Sequence, residues 1–222
     1  LPRGGAPPPP AEGAAAPVPK VKLNAKVQQP YHEEDTDVDL EPLDHGSIDF
    51  SMHTVDTNAE FVRVRMDASK HALALHALEV WELQKPTVVL RVCGSTDKDV
   101  KHEEQQDIVR ALTSAAGTME AWIFCGGLSF GIANLVGQIL QQRRHVCEAP
   151  LIGVVSWGAI QSNGQLNYDS KGKKASKGDK RCYTDAAPDE NFSTVSLQPN
   201  HSHFVICDFG TNRADHGEQK RR

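Results

Sequence analysis

Two motifs that would name a chemistry outright are missing from this chain. It contains no GxGxxG and no GxxxxGK(S/T). The dinucleotide fingerprint and the phosphate loop of nucleoside triphosphatases are therefore excluded as read from sequence. The five cysteines form no CxxC pair and are odd in number, which points to reduced thiols rather than a disulfide framework. The first residues, LPRGGAPPPPAEGAAAP, lack the apolar core of a secretory signal. No apolar run approaches the roughly 18 residues needed to cross a bilayer. Positive charge is also scarce: 24 Lys and Arg stand against 29 Asp and Glu, a net charge of -5. A nucleic-acid binder would carry the opposite balance. The expectation is a soluble chain with no nucleic-acid partner and no direct membrane contact.

What is present divides into two parts. Residues 1–59 begin with Pro, Ala and Gly and continue into the acidic run EEDTDVDLEPLD. Such a composition cannot bury enough surface to order itself, so a disordered tail is expected here. The absent initiator methionine reads as a piece of a longer chain. Residues 60–222 form the expected folded domain, whose length suffices for one sizeable core.

Within that domain, strands and helices alternate. EFVRVRM alternates apolar and polar residues as a half-buried strand does. SKHALALHALEVW reads as a helix capped by Ser69, with Leu75, Leu78 and Trp81 on its apolar side. TVVLRV (87–92) is a β-branched run of the kind found in central parallel strands. A helix around 102–115 follows, with Ile108, Ala111, Leu112 and Ala115 inward and Gly117 as its stop. AWIFC (121–125) is the next strand. Ser129 then caps a helix striped by Ile132, Leu135, Val136, Ile139 and Leu140. LIGVVSW (151–157) and SHFVIC (202–207) complete the strands. Between them, residues 161–197 include the lysine-rich DSKGKKASKGDKR, which reads as a mobile, solvated loop. The expected fold class is α/β, a Rossmann-like parallel sheet with helices on both faces, preceded by the disordered tail.

Glycines recur at the carboxyl ends of these strands: Gly94-Ser95-Thr96, Gly126-Gly127, Trp157-Gly158 and Gly210-Thr211. Ligands of open α/β sheets sit at that edge. Glycine lets backbone N–H groups come close, and a helix N-terminus favours an anion. The pattern fits a nucleotide-like ligand, and it also fits four ordinary strand-to-helix turns. Thr96 and Ser129 are placed to donate to phosphate or simply to cap helices. Trp157 is placed to stack on a base or to pack in the core. Arg213 and Arg222 are candidates for pairing with a pyrophosphate. His201 and His203 stand two apart, on one strand face, without further ligands at metal spacing, so no metal is expected.

Four stretches carry a resemblance. They are FVRVRMDASKHALALHALEVWELQKPTVVLRVCGS, AWIFCGGLSFGIANLVGQ, LIGVVSWGAI and LQPNHSHFVICDFGT. In order and spacing they resemble the melastatin homology region, the N-terminal cytosolic part of TRPM-type transient receptor potential cation channels. The resemblance covers about residues 60–222 and implies a Rossmann-like domain of the SLOG superfamily. It implies a ligand-sensing or assembly module of a tetrameric, calcium-permeable channel at the cytoplasmic face of the plasma membrane. Its partners would be the rest of the channel polypeptide and neighbouring subunits. It further implies an ADP-ribose-type nucleotide as ligand, not as a cofactor, and a nucleotide contact for Tyr183, whose alternative is an exposed loop tyrosine. Enzymatic members of the superfamily carry PGGxGTxxE; here the residue three after Thr211 is Ala214, and Glu218 lies four further on. Binding without catalysis is therefore the expectation, with a subunit-assembly module or a soluble nucleotide N-glycosidic hydrolase as alternatives.

Overall fold

The computed structural model describes residues 42–50, 57–94, 102–118, 120–143, 148–169, 171–185 and 193–210. Seven strands and three helices follow one another in the order β1 (Asp44–Asp49), β2 (Asn58–Arg65), α1 (Lys70–Glu79), β3 (Val88–Arg91), α2 (His102–Thr118), β4 (Ala121–Gly126), α3 (Gly131–Gln142), β5 (Leu151–Ser156), β6 (Lys180–Cys182) and β7 (His203–Asp208). They build one sheet in the order β3-β4-β5-β7-β2-β1-β6. Every pairing is parallel except β1 with β2. The fold is α/β, a mostly parallel sheet with helices on both faces.

Alternation along β4 shows how both faces are covered. Ile123 and Cys125 join Val136 and Leu140 of α3 and Leu112 of α2 in one cluster. Trp122, their neighbour in sequence, joins Ala77 of α1 and Ile152 of β5 in another. A period of two along a strand sends successive side chains to opposite faces. A third cluster lies over β7, β2 and β1, where Phe61, Phe204, Ile206 and Phe50 meet Leu166, Tyr183 and Leu197. Ser69 does cap α1, its hydroxyl accepting from the Ala72 N–H at 3.4 Å. The buried side of that helix is Ala72, His76 and Ala77, whereas Leu75 is exposed.

Several expectations change. An ordered strand, β1, lies within the segment read as tail. It is held by six antiparallel register pairs with β2, from Asp44 opposite Arg63 to Asp49 opposite Asn58. The run 87–92 is not central: β3 forms the sheet edge, and Val89 is 59% exposed. The lysine-rich segment is not featureless. Tyr168 bridges Lys174, Asp169 bridges Arg181, and β6 runs parallel to β1. Arg181 is fully buried there. It donates to the carbonyls of Leu166 (3.0 Å), Asp179 (2.6 Å) and Ser176 (2.8 Å) and to the Asp44 carboxylate (3.0 Å). One guanidinium thus satisfies four acceptors and fixes the turn that sequence polarity alone presents as loose. Ala111 is exposed on α2, where Leu112 and Ala116 are the buried positions among the described side chains, and the helix continues past Gly117 to Thr118.

Candidate functional site

The carboxyl ends of β3, β4 and β5 and the start of α3 enclose a cavity of about 670 Å³. Gly94, Gly126 and Gly127 are all in its wall. The other lining side chains are largely apolar: Val89, Val92, Phe124, Leu128, Phe130, Ile132, Ala133, Val154 and Val155, with Cys93, Cys125, Ser156 and Arg91. The volume falls within the range of small-molecule sites. Among the described residues no carboxylate lines it, and Arg91 is the single charged group. Phe130 occupies the N-cap position of α3 and supplies no side-chain hydrogen bond. The opening N–H groups of a helix have no partner within the helix, so this end favours negative charge.

The two glycines of β4's end have different reasons to be glycine. A Cβ on Gly127 would stand 3.0 Å from the Phe204 ring and 3.3 Å from the Gly153 Cα. Gly153 is tighter still, with the Gly127 Cα only 2.7 Å from where its Cβ would be. Here the chain needs glycine to let β4 and β5 continue against β7. A Cβ on Gly126 meets nothing nearer than the Ala133 Cβ at 3.7 Å, and one on Gly94 nothing nearer than Ile132 at 3.7 Å. These two positions have room, and what they leave open is the cavity.

Behind the wall, a chain of hydrogen bonds fixes the rim. The Gln198 N–H donates to the Gly127 carbonyl at 2.9 Å. Its side-chain oxygen accepts from the Asn200 N–H at 2.7 Å and faces His201 Nδ1 at 3.3 Å, while its amide donates to Asn134 of α3 at 3.3 Å. His201 Nε2 in turn lies 3.0 Å from Cys125 Sγ. Burial pushes the His201 imidazole down to about 4, against partial opposition from its hydrogen bonds with Gln198 and Gly126. Burial, with a smaller contribution from Cys93, pushes the Cys125 thiol up to about 12. Both groups are neutral at pH 7, so this is a structural hydrogen bond and not an activated thiolate. His201 also stacks on Phe204, whereas His203 meets Trp81 on the other face of the sheet. The expectation that the two histidines share a face is overturned, because His201 lies in the turn before β7 begins.

Other expected site residues are engaged elsewhere. Ser129 does not cap α3; its hydroxyl donates to the Leu197 carbonyl at 3.1 Å and its N–H to the Ser196 carbonyl at 2.8 Å. Trp157 is buried, and the Arg63 guanidinium covers its ring at 3.6 Å. Gly158 sits in the short 3-10 turn Trp157–Ala159. Tyr183 is neither an exposed loop residue nor part of the cavity wall. It is 1% exposed, donates to the Gln161 carbonyl at 2.7 Å and accepts from the Leu197 N–H at 3.3 Å. Gly210 ends β7 with φ +68, and its N–H donates to the Asp208 carboxylate at 2.8 Å. Ser95, Thr96, Thr211, Arg213 and Arg222 lie outside the described residues, as do Ala214 and Glu218. Arg91 and the aromatic pair Phe124 and Phe130 escaped the sequence reading. The signal for Arg91 was a lone charge interrupting the apolar run TVVLRV.

This glycine-rimmed edge of an α/β sheet is the kind of place where such domains take ligands. Comparison with known proteins gives the class. The family model LSDAT_euk, described as SLOG in TRPM, matches residues 59–222. The chain belongs to this family. Curated relatives include the transient receptor potential cation channel subfamily M member-like 2 of Nematostella vectensis, 27% identical over 75% of this chain and 11% of the relative. The transient receptor potential cation channel trpm of Drosophila melanogaster is 26% identical over 77% of this chain and 8% of its own length. Transient receptor potential cation channel subfamily M member 7 of Rattus norvegicus is 28% identical over 86% of this chain and 10% of its own. The chain thus spans about a tenth of the length of these relatives. Among the described residues no helix is long and apolar enough to cross a membrane.

Proposed function

We propose that this domain is the cytosolic, ligand-sensing regulatory module of a TRPM-type calcium-permeable channel and that it binds an ADP-ribose-type nucleotide without turning it over. The observation that carries the reading is the cavity of about 670 Å³ at the carboxyl edge, walled by Gly94 and Gly126 and by the start of α3. Its chemistry suits a ligand with an apolar ring and a negative group. The ring would lie against Phe124, Phe130 and Val154, and the anion would find a positive helix end and, among the described residues, no competing carboxylate. Binding would be coupled to the channel through the plasma-membrane polypeptide of which this domain is a cytoplasmic part.

Calorimetric titration with ADP-ribose and AMP tests the reading, with saturable binding expected from at least one of them. Absence of heat at millimolar ligand overturns it. Incubation with the same nucleotides should release no ribose phosphate; release would return the domain to the hydrolases. A second reading, docking of a neighbouring subunit at the same edge, draws on Val89 and Val154, which are 59% and 45% exposed beside the cavity. Under that reading a nucleotide would neither bind nor be displaced by the rest of the channel.

A further inference from the structure

Arg91 is the residue of the cavity whose role the fold leaves unexplained. It ends β3, directly across from Phe124 of β4 in the parallel register. Register and alternation place Arg91 and Phe124 on one face of the sheet, with Val154 following across from Gly126 on β5. Arg91 is exposed and has no ion-pair partner among the described residues. Two other arginines of the sheet are engaged: Arg63 pairs with Asp208 and Arg181 with Asp44. A guanidinium offers five donors in a rigid fork suited to two phosphate oxygens at once. Among the described residues the wall offers that fork no carboxylate.

We infer that Arg91 is the anion-pairing residue of this cavity. It takes the phosphate or pyrophosphate group of a ligand whose ring lies on the adjoining apolar wall of Phe124 and Val154. This deepens the nucleotide-binding reading and rests on it. It moves the electrostatic recognition from the chain's end, where Arg213 and Arg222 stand in sequence, to the β3 edge. It also separates two parts of the ligand. The phosphate depends on Arg91, while the nucleoside depends on Phe124 and Val154. A purely structural role for Arg91 is a charge that keeps an edge strand from pairing with another chain, and that role makes no demand on ligand affinity.

The experiment is calorimetry on the whole chain with ADP-ribose, AMP, adenosine and inorganic pyrophosphate, for wild type, Arg91→Gln and Arg91→Lys. Loss of one charge-assisted phosphate contact should weaken ADP-ribose and AMP by roughly 10-fold or more in Arg91→Gln. Adenosine should change less than about 2-fold, because it lacks the group that Arg91 holds. Arg91→Lys should recover part of the loss. The melting temperature of both variants should match wild type, since Arg91 makes no ion pair among the described residues. Equal ADP-ribose affinity in wild type and Arg91→Gln overturns the assignment while leaving the nucleotide reading intact. No binding of any nucleotide by wild type overturns both. Pyrophosphate binding as tightly as ADP-ribose overturns the part given to Phe124 and Val154.

Discussion

The Arg63 guanidinium lies over the Trp157 indole, 3.6 Å from the ring centroid. Asp208 holds it there, accepting from Nε at 2.9 Å and from the second guanidinium nitrogen as well. The same carboxylate accepts from the Gly210 N–H. Three strands, β2, β5 and β7, are tied at their carboxyl ends by this contact. It also bears on what Trp157 does: the ring is buried and one of its faces is covered by the Arg63 guanidinium.

Breaking this tie should loosen the rim without emptying the core. Arg63→Ala is expected to cost about 1–2 kcal/mol of unfolding free energy, the range of a partly buried charged hydrogen bond plus a cation–π contact. Urea titration followed by tryptophan fluorescence measures it. Burial alone would raise the Asp208 carboxyl, but the Gly210 N–H and Arg63 outweigh it and leave it below the ordinary value of 3.8. That contribution is therefore complete above about pH 4 and disappears as pH falls through the lowered value. A stability loss from Arg63→Ala that is the same at pH 3 as at pH 7 would contradict this.

Acid should destabilise the fold well before the carboxylates titrate. Burial pushes His201 and His203 down to about 4, and burial together with His45 lowers His76. The unfolded chain binds protons at these sites near pH 6.5, while the folded chain does not. Stability is thus full above about pH 6.5 and falls as pH drops from there toward 4. Between pH 7 and 5 the loss should be roughly 2 kcal/mol for each of His201 and His203. Denaturant midpoints across that range check it, and a flat profile would refute the neutral, buried assignment. Among the described residues Nε2 of His76 has no hydrogen-bond partner, and α1, which carries it, is expected to respond.

Glycine substitutions should separate architecture from cavity. Gly153→Ala forces a Cβ against the Gly127 Cα and the Phe204 ring, and should cost about 1–3 kcal/mol as an overpacked site. Gly126→Ala has space and should leave the melting temperature within about 2 °C of wild type. Nucleotide affinity should follow the reverse order at Gly126 if the larger Gly126→Val is used. Thermal melts of the three variants make the comparison.

Removing the buried Arg181 should unfasten the segment that sequence presents as loose. Arg181→Met leaves the Asp44 carboxylate and three carbonyls without their donor. A loss of about 3–5 kcal/mol is expected for breaking such a buried ion pair. Trypsin should then cut at Lys171, Lys173, Lys174 or Lys177 much faster than in wild type. Unchanged cleavage would mean that the segment is held by β6 pairing alone.

The parts of the fold that were legible are those with a strong local period. β2, β4, β5 and β7 announce themselves through apolar runs, and α3 through its stripe of Val136, Ile139 and Leu140. The glycines at the carboxyl ends were legible, and Gly94, Gly126 and Gly127 share one cavity. β1 was hidden because DHGSID carries a single large apolar residue, Ile48, and its order comes from pairing with β2. β6 was hidden for the same reason: KRC is a strand only because β1 offers an edge and Arg181 finds four distant acceptors. Tyr183 was read as a nucleotide contact from the resemblance, and Ser129 as a phosphate donor or helix cap from its place after the glycines, whereas Leu197 and Gln161 satisfy them across the fold. Arg91 was missed from the other direction, since nothing local shows that a charge at a strand end will face a cavity.

A crystal structure of the protein with ADP-ribose at millimolar concentration tests the central claim most directly. The account predicts nucleotide density in the cavity at the ends of β3, β4 and β5, with a phosphate against Arg91 and the start of α3. An empty cavity, or density confined to the opposite edge of the sheet near Glu82, Glu120 and Glu148, would contradict it.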